Sequence, residues 1–458
     1  MIGYMAACSL NRYAMFEAAW LPSQVMNFFS FAIMKFTILV LVESDFLPIV
    51  HNTHKYTNNS AISQRKRLAL QGFEKQFYEV VRDMKIVCDD RIPFLRGVFG
   101  DTAECVYLPG AETGRGDLID ADAVITRTRT LCGPKLLEGT RVRFIASATI
   151  GTDHIDKAWC AENGIAWSNA PGCNSDSVRQ YIASALCVLK RRHSLDFSKL
   201  TLGVVGVGNV GSKVADLGRT LGMRVLLCDP PRAAREGGEG FTDLDTLWRG
   251  SDIVSLHVPL EREGLYPTVH LIDSKRLGSD GNRDKILINS SRGAVVDNAA
   301  LREALEAGRL RAAVLDVWEN EPDIDLRLLQ LVDIATPHIA GYSADGKARG
   351  TMMAVRAVAE ALDLPRKDWS PAGIPEPEGG LVYECEAGED LVEMALLASY
   401  DILADDAALR AHPENFEYLR GHYPVRREAP AWTLRLHGAD EAQADVLRKL
   451  GFGRVITL

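Results

Sequence analysis

Short apolar runs recur from residue 84 onward, each closed by polar residues: "MKIVCDD", "DAVITRT", "RFIASATIGTDHID" and "GIAWSNAPG". Runs of this kind read as strands buried on both faces, and the helical material between them predicts a parallel sheet covered on both sides. Val178, Ile182, Ala185, Leu186 and Leu189 then fall at helical spacing, which predicts one long helix over residues 176–191. A second series follows in "LTLGVVG", "MRVLLCD", "DIVSLHVP", "KILINSS", "AAVLDVW" and "DIATPHIA", with the helical "DNAALREALEAG" among them, and predicts a six-stranded doubly wound sheet. The Pro- and Gly-rich "PRKDWSPAGIPEPEGG" reads as a linker, and "WTLRLHG" and "DEAQADVLRKLGF" beyond it mix strand and helix patterns. The expectation is an α/β protein with two doubly wound parallel-sheet lobes and a small C-terminal α+β domain. The borders fall at 84–180 for the first lobe (completed by about 340–364), 181–339 for the second, 365–380 for the linker and 381–458 for the last domain.

Residues 1–83 follow a different pattern. The stretch 25–42, "VMNFFSFAIMKFTILVLV", is nearly all apolar and long enough for a membrane span, but Lys35 near its middle costs about 3 kcal/mol on insertion. A signal peptide fits worse, because the apolar core comes late and no small-residue cleavage site follows. An anchor and an unstructured arm stay open. The reading carried forward is that translation starts at Met84 and that residues 1–83 are no part of the folded protein.

Composition narrows the function classes. With 458 residues, 47% of them hydrophobic, the chain can bury two or three cores. A net charge of -9 argues against a general nucleic-acid binder, since phosphate affinity needs an excess of Lys and Arg. Nine scattered cysteines without a C-x-x-C pair argue against a disulfide framework or a zinc site and suit a reducing, cytoplasmic compartment, with no metal expected.

The strongest local signal is "GVVGVGNVG". Gly206, Gly208 and Gly211, with Asn209 and Val210 between them, sit after an apolar strand and open a helix, in the G-x-G-x-x-G arrangement of a Rossmann-like dinucleotide site. Asp229 closes the next strand, where a carboxylate accepts hydrogen bonds from both ribose hydroxyls and repels a 2′-phosphate, so NAD is expected rather than NADP. Ligands in such sheets lie at the carboxyl ends of the strands, where Arg292, Glu321 and His338 are found. Singly, these read as a solvated arginine, a solvated glutamate and a structural histidine. Together they meet a chemical need. Oxidation of an alcohol beside a carboxylate requires a cation for the carboxylate, a base for the hydroxyl proton and an acidic residue to orient that base.

In this order "GVVGVGNVG", "CDPP", "NSSRGAVVDNAAL", "LDVWENEP" and "TPHIAGYSADGKARG" resemble the D-2-hydroxyacid dehydrogenase superfamily over residues 84–364. Within it, "GTDHID", "NAPGCNSDSV", "CDPPRA" and the extra C-terminal segment are similar to the erythronate-4-phosphate dehydrogenase family of pyridoxal 5′-phosphate biosynthesis. The resemblance implies NAD-dependent oxidation of 4-phospho-D-erythronate at carbon 2, with Arg292 on the carboxylate, His338 as base and Glu321 stabilising its imidazolium. It implies substrate contacts at Thr128, Thr149 and Tyr342. Cofactor contacts would include Val258, Ser290, Ser291, Gly341 and Asp316, the last facing the nicotinamide amide, besides the glycine loop and Asp229. A homodimer formed through residues 381–458 is also implied. For the 4-phosphate, Arg127 is the first choice, with Arg129, Lys347 and Arg349 behind it, and residues of a partner subunit stay open as the alternative. A 3-phosphoglycerate or glyoxylate dehydrogenase and a non-catalytic NAD-sensing corepressor remain the alternatives.

Overall fold

The computed structural model describes residues 84–458 except 280, 387, 389 and 390, so the expectations for residues 1–83 lie outside the described residues. Three parallel sheets follow one another along the chain. The first contains β1 (Lys85–Asp89), β2 (Glu104–Leu108), β3 (Ala123–Thr126), β4 (Phe144–Ser147) and β5 (Ala166–Ser168), in the order β2-β1-β3-β4-β5. β2, "ECVYL", is the strand the apolar pattern does not announce. It lies at the sheet edge, opens on an exposed glutamate and is half-buried elsewhere, so it lacks the uniform run of its neighbours.

The second sheet holds the six strands the pattern announces. They are β6 (Thr201–Val205), β7 (Arg224–Cys228), β8 (Ile253–Leu256), β9 (Ile286–Asn289), β10 (Ala312–Leu315) and β11 (Ile334–Ala335), in the order β11-β10-β9-β8-β6-β7. The chain enters at β6, runs outward to β7 and returns to β8 on the other side. The crevice at that switch lies beyond the carboxyl ends of the strands. Asp229, Asp243, Asp273, Asp297 and Asp325 each cap the helix that follows them, accepting from an amide of its first turn.

The expected long helix spans Ser175–His193 and ends on Ser194 in the left-handed conformation, with Lys190, Arg191, Arg192 and His193 in its last turn, where the helix dipole favours positive charge. Its Leu186 and Leu189 join Leu202 and Val204 of β6 in one apolar cluster, which continues into Leu396, Tyr400, Leu434 and Leu436 of the C-terminal part. There β12 (Val382–Glu386), β13 (Thr433–His437) and β14 (Arg454–Thr457) form a three-stranded parallel sheet. The helix Ala344–Ala361 turns back to the first sheet, where Ala354, Val355 and Val358 pack on Ile86, Cys88 and Ile125. Each of the valines and isoleucines among them contributes about 1.5–3 kcal/mol when fully buried. Among the described residues no helix is long and apolar enough to cross a membrane.

Candidate active site

Three glycines shape the crevice at the end of β6. Gly206 has φ +83°, and a Cβ there would lie 2.5 Å from the His257 carbonyl oxygen. A Cβ on Gly211 would lie 1.8 Å from the Gly206 oxygen, so the helix Asn209–Thr220 packs directly on the turn. A Cβ on Gly208 would meet nothing within 4 Å. That open space, over the start of a 12-residue helix, fits a pyrophosphate held by backbone N–H groups and the helix dipole. Asn209 leans on Gly172, while Val210 packs at the edge of the large apolar cluster. Asp229 Oδ2 accepts from the Val207 amide (2.8 Å) and Oδ1 from the Arg232 amide (2.9 Å), which fixes the carboxylate and leaves each oxygen a further acceptor position for ribose. Arg232 pairs with Glu236 at 2.8 Å and donates to the Val207 carbonyl at 2.6 Å, so its charge is already committed. Val258 follows β8 at the same crevice, beside Gly206.

Beyond β9 the chain turns sharply. Asn289 Oδ1 accepts from the amide and hydroxyl of Ser291 (3.1 and 2.8 Å), and Asn289 Nδ2 donates to the Arg292 carbonyl (3.0 Å). The turn aims Arg292 at the loop after β4. Nη1 donates to the Ser291 carbonyl at 2.8 Å, and Nη2 lies 3.3 Å from Asp153 Oδ2. Ser290 keeps a buried hydroxyl oxygen without a protein partner.

Glu321 and His338 come from the loops after β10 and β11. Glu321 Oε1 accepts from the Trp318 amide (2.9 Å), and Oε2 is 2.8 Å from His338 Nδ1. Burial pushes the Glu321 carboxyl up, but the hydrogen bond and charge of His338, the Trp318 amide and the Arg420 guanidinium together hold it below the usual glutamate range. His338 adopts φ +58°, and its amide donates to the Asp316 carbonyl at 2.7 Å. With Nδ1 directed at Glu321, Nε2 is the free face of the ring.

Asp316, expected to face the nicotinamide amide, lies directly after β10 (Ala312–Leu315). It is 1% exposed, and its carboxylate accepts from the Thr336 hydroxyl (2.7 Å) and the amides of Ile339 (2.7 Å) and Ala340 (2.9 Å). It therefore clamps the segment that carries His338. Burial pushes its pKa up against those donors and the charge of His338.

Thr128 is exposed after β3, and Thr149, 2.8 Å from Ser147 Oγ, follows β4, so both lie at the carboxyl end of the first sheet. Gly341 abuts Asn174, where a Cβ would come within 2.1 Å of Nδ2. Asn174 Oδ1 is buried without a partner, and no motif singles that residue out. Most of the cations proposed for phosphate are already engaged. Arg127 forms a two-pronged pair with Asp89 (3.1 and 3.2 Å), a carboxylate only 3% exposed. Arg349 holds both oxygens of Glu428 at 2.6 Å, and Arg129 pairs with Glu417. Lys347 differs: its ammonium sits 4.8 Å from the centre of the Tyr342 ring, without a carboxylate partner among the described residues. Arg420 and Glu417, on the short helix Phe416–Gly421, reach this region from the C-terminal part, and "FEYLRG" carries no sequence signal for it.

Residues 177–340 match the model of the D-isomer specific 2-hydroxyacid dehydrogenase, NAD binding domain. The D-lactate dehydrogenase of Aquifex aeolicus, solved with NAD and lactic acid, is 28% identical with a TM-score of 0.52, over 63% of this chain and 98% of its own. The TT0316 protein of Thermus thermophilus is 26% identical with a TM-score of 0.53, over 63% of this chain and 100% of its own. Fold, cofactor crevice and family model together define an NAD-dependent 2-hydroxyacid dehydrogenase. The erythronate-4-phosphate dehydrogenase of Bacteroides fragilis is 48% identical over 352 residues, 77% of this chain and 99% of that protein. That of Porphyromonas gingivalis is 43% identical over 369 residues, 81% of this chain and 100% of that protein. The chain belongs to the erythronate-4-phosphate dehydrogenase family. Residues 380–451 match a further model, Domain of unknown function (DUF3410).

Proposed function

We propose that the protein oxidises the C2 hydroxyl of 4-phospho-D-erythronate, giving 2-oxo-3-hydroxy-4-phosphobutanoate on a route to pyridoxal 5′-phosphate. The observation that carries this is the His338–Glu321 pair at 2.8 Å, in a chain 48% identical to a protein named for that activity.

Arg292 takes the substrate carboxylate in its planar fork. Its neighbour Asp153 is 66% exposed, and an exposed pair is worth about 0–1 kcal/mol against about 1.5–3 for a charge-assisted bond in a closed site, so substrate displaces it. His338 Nε2 accepts the hydroxyl proton as the C2–O bond becomes a carbonyl, and Glu321, held ionised, stabilises the imidazolium that results. Gly208 and Asp229 would hold the pyrophosphate and ribose of NAD, which when bound would supply the acceptor for the hydride on C2. Asp316 holds the loop of His338 in place, and Thr128, Thr149 and Tyr342 line the substrate. Val258, Ser290, Ser291 and Gly341 line the cofactor.

In the same reading, residues 84–180 with 340–364 form the substrate lobe, residues 181–339 the cofactor domain and residues 381–458 a dimerisation domain of a cytoplasmic homodimer. Exposed apolar side chains on the last of these, Val382 at 52% and Tyr418 at 61%, support a partner surface. The deciding assay follows NADH with 4-phosphoerythronate as substrate and 3-phosphoglycerate as control. Selective turnover of the first is expected. Turnover of 3-phosphoglycerate alone would move the protein to another branch of the superfamily, and light scattering of the same sample reads the subunit number.

A further inference from the structure

We propose that Lys347 and Arg420 hold the 4-phosphate, so that a residue from beyond position 380 completes the substrate site. This rests on the phosphorylated substrate proposed above, and it assigns a contact that the sequence pattern leaves open.

Lys347 lies on the helix Ala344–Ala361, just past the segment carrying His338, and its ammonium faces the Tyr342 ring at 4.8 Å. An exposed helical lysine is ordinarily a solvated charge. Here the charged groups felt by the ammonium are Arg127 and Arg426, both cations. Desolvation and these two guanidinium groups push its pKa down. An ammonium set between two guanidinium groups, with no carboxylate against it among the described residues, is a place for an anion.

Arg420 approaches the same ring from the other chain segment, with its guanidinium carbon 6.0 Å from the centroid. Its side chain is 18% exposed, and Nε is buried with no partner. Glu417 pairs with it at 3.2 Å and is shared with Arg129. Arg420 is also near enough to Glu321 to help hold that carboxyl down, which places it beside the Glu321–His338 pair. A four-carbon acid gripped at its carboxylate by Arg292 and deprotonated by His338 carries its phosphate at the opposite end. Lys347 has no carboxylate partner among the described residues and Arg420 keeps Nε unspent, whereas Arg127 and Arg349 are each held by a carboxylate in a two-point pair.

The test measures kcat/KM of the full chain for 4-phosphoerythronate and for unphosphorylated D-erythronate, in wild type, Lys347→Met, Lys347→Arg and Arg420→Gln. Loss of one phosphate contact is expected to lower kcat/KM for the phosphorylated acid on the order of ten- to a hundredfold. In Lys347→Met the value for erythronate and the Kd for NAD should stay within about twofold, and Lys347→Arg should recover most of the loss. Inorganic phosphate should inhibit wild type competitively and lose that effect in Lys347→Met. Lys347 is at the surface, so its variant stays interpretable if Arg420→Gln unfolds. Variants that keep the wild-type preference for the phosphorylated acid would overturn the assignment and leave the function standing. A wild type with no such preference would overturn the functional reading, and the phosphate contact with it.

Discussion

Arg292 is fixed at one guanidinium nitrogen by the Ser291 carbonyl and offers the rest of its fork to the gap between the first two sheets. A lysine there keeps the charge but loses the planar two-point contact, so Arg292→Lys is expected to lower kcat/KM on the order of a hundredfold or more. Rates near wild type would remove Arg292 from the carboxylate. Glu321 gives a prediction with a defined sign. Its folded pKa lies below 4.5, so the stability it contributes through His338 and the Trp318 amide is complete above about pH 4.5 and is lost as pH falls through the folded value. Glu321→Gln should therefore cost stability at pH 6 and progressively less below pH 4.5, read as the denaturation midpoint against pH. A gap that widens in acid would contradict the pairing. Arg292, Glu321 and His338 stand out in the sequence because each follows a strand whose apolar run is plain. Arg127 shows what was not. The chain displays its charge but not Asp89, 38 positions earlier, which only the parallel pairing of β1 and β3 brings against it.

The glycine loop separates two roles that one motif conflates. A methyl on Gly211 collides with the Gly206 carbonyl, whereas a methyl on Gly208 meets no protein atom within 4 Å. Gly211→Ala is thus expected to cost about 1–3 kcal/mol of stability and to weaken NAD binding, because the turn itself must shift. Gly208→Ala should leave the thermal midpoint nearly unchanged while NAD affinity falls, since the space it fills is the one assigned to the pyrophosphate. Calorimetry and NAD titration on the two variants check this. Equal loss of stability in both would show that the opening at Gly208 is not a ligand's place. Strands were readable wherever both faces are buried, as in β3, β8 and β9, and unreadable at β2, whose edge position leaves its pattern half polar.

The C-terminal part reads along the chain as an appendage set off by a proline-rich linker, but its core is continuous with that of the second sheet. Leu391, Leu396, Tyr400 and Leu434 share one apolar cluster with Leu186, Leu189 and Val204, and Leu409 and Phe416 reach Leu328 and Leu329 on the other face. Polar contacts follow the same path: Ser184 donates to the Tyr400 carbonyl at 2.8 Å, Ala335 to Asp406 at 2.7 Å, and Ser177 to Glu428 at 2.8 Å. At about 1.5–3 kcal/mol for each buried aliphatic or aromatic side chain, exposing this face sacrifices an amount comparable with the whole stability of a domain, about 5–15 kcal/mol. A chain ending at residue 380 is therefore expected to fail as a folded enzyme, although it keeps Arg292, Glu321, His338 and the glycine loop. Circular dichroism melting and NAD titration of that truncation would show it. A cooperative melt with NAD binding intact would mean that the helix Ser175–His193 tolerates an open apolar face, and that residues 381–458 serve the site without holding up the fold.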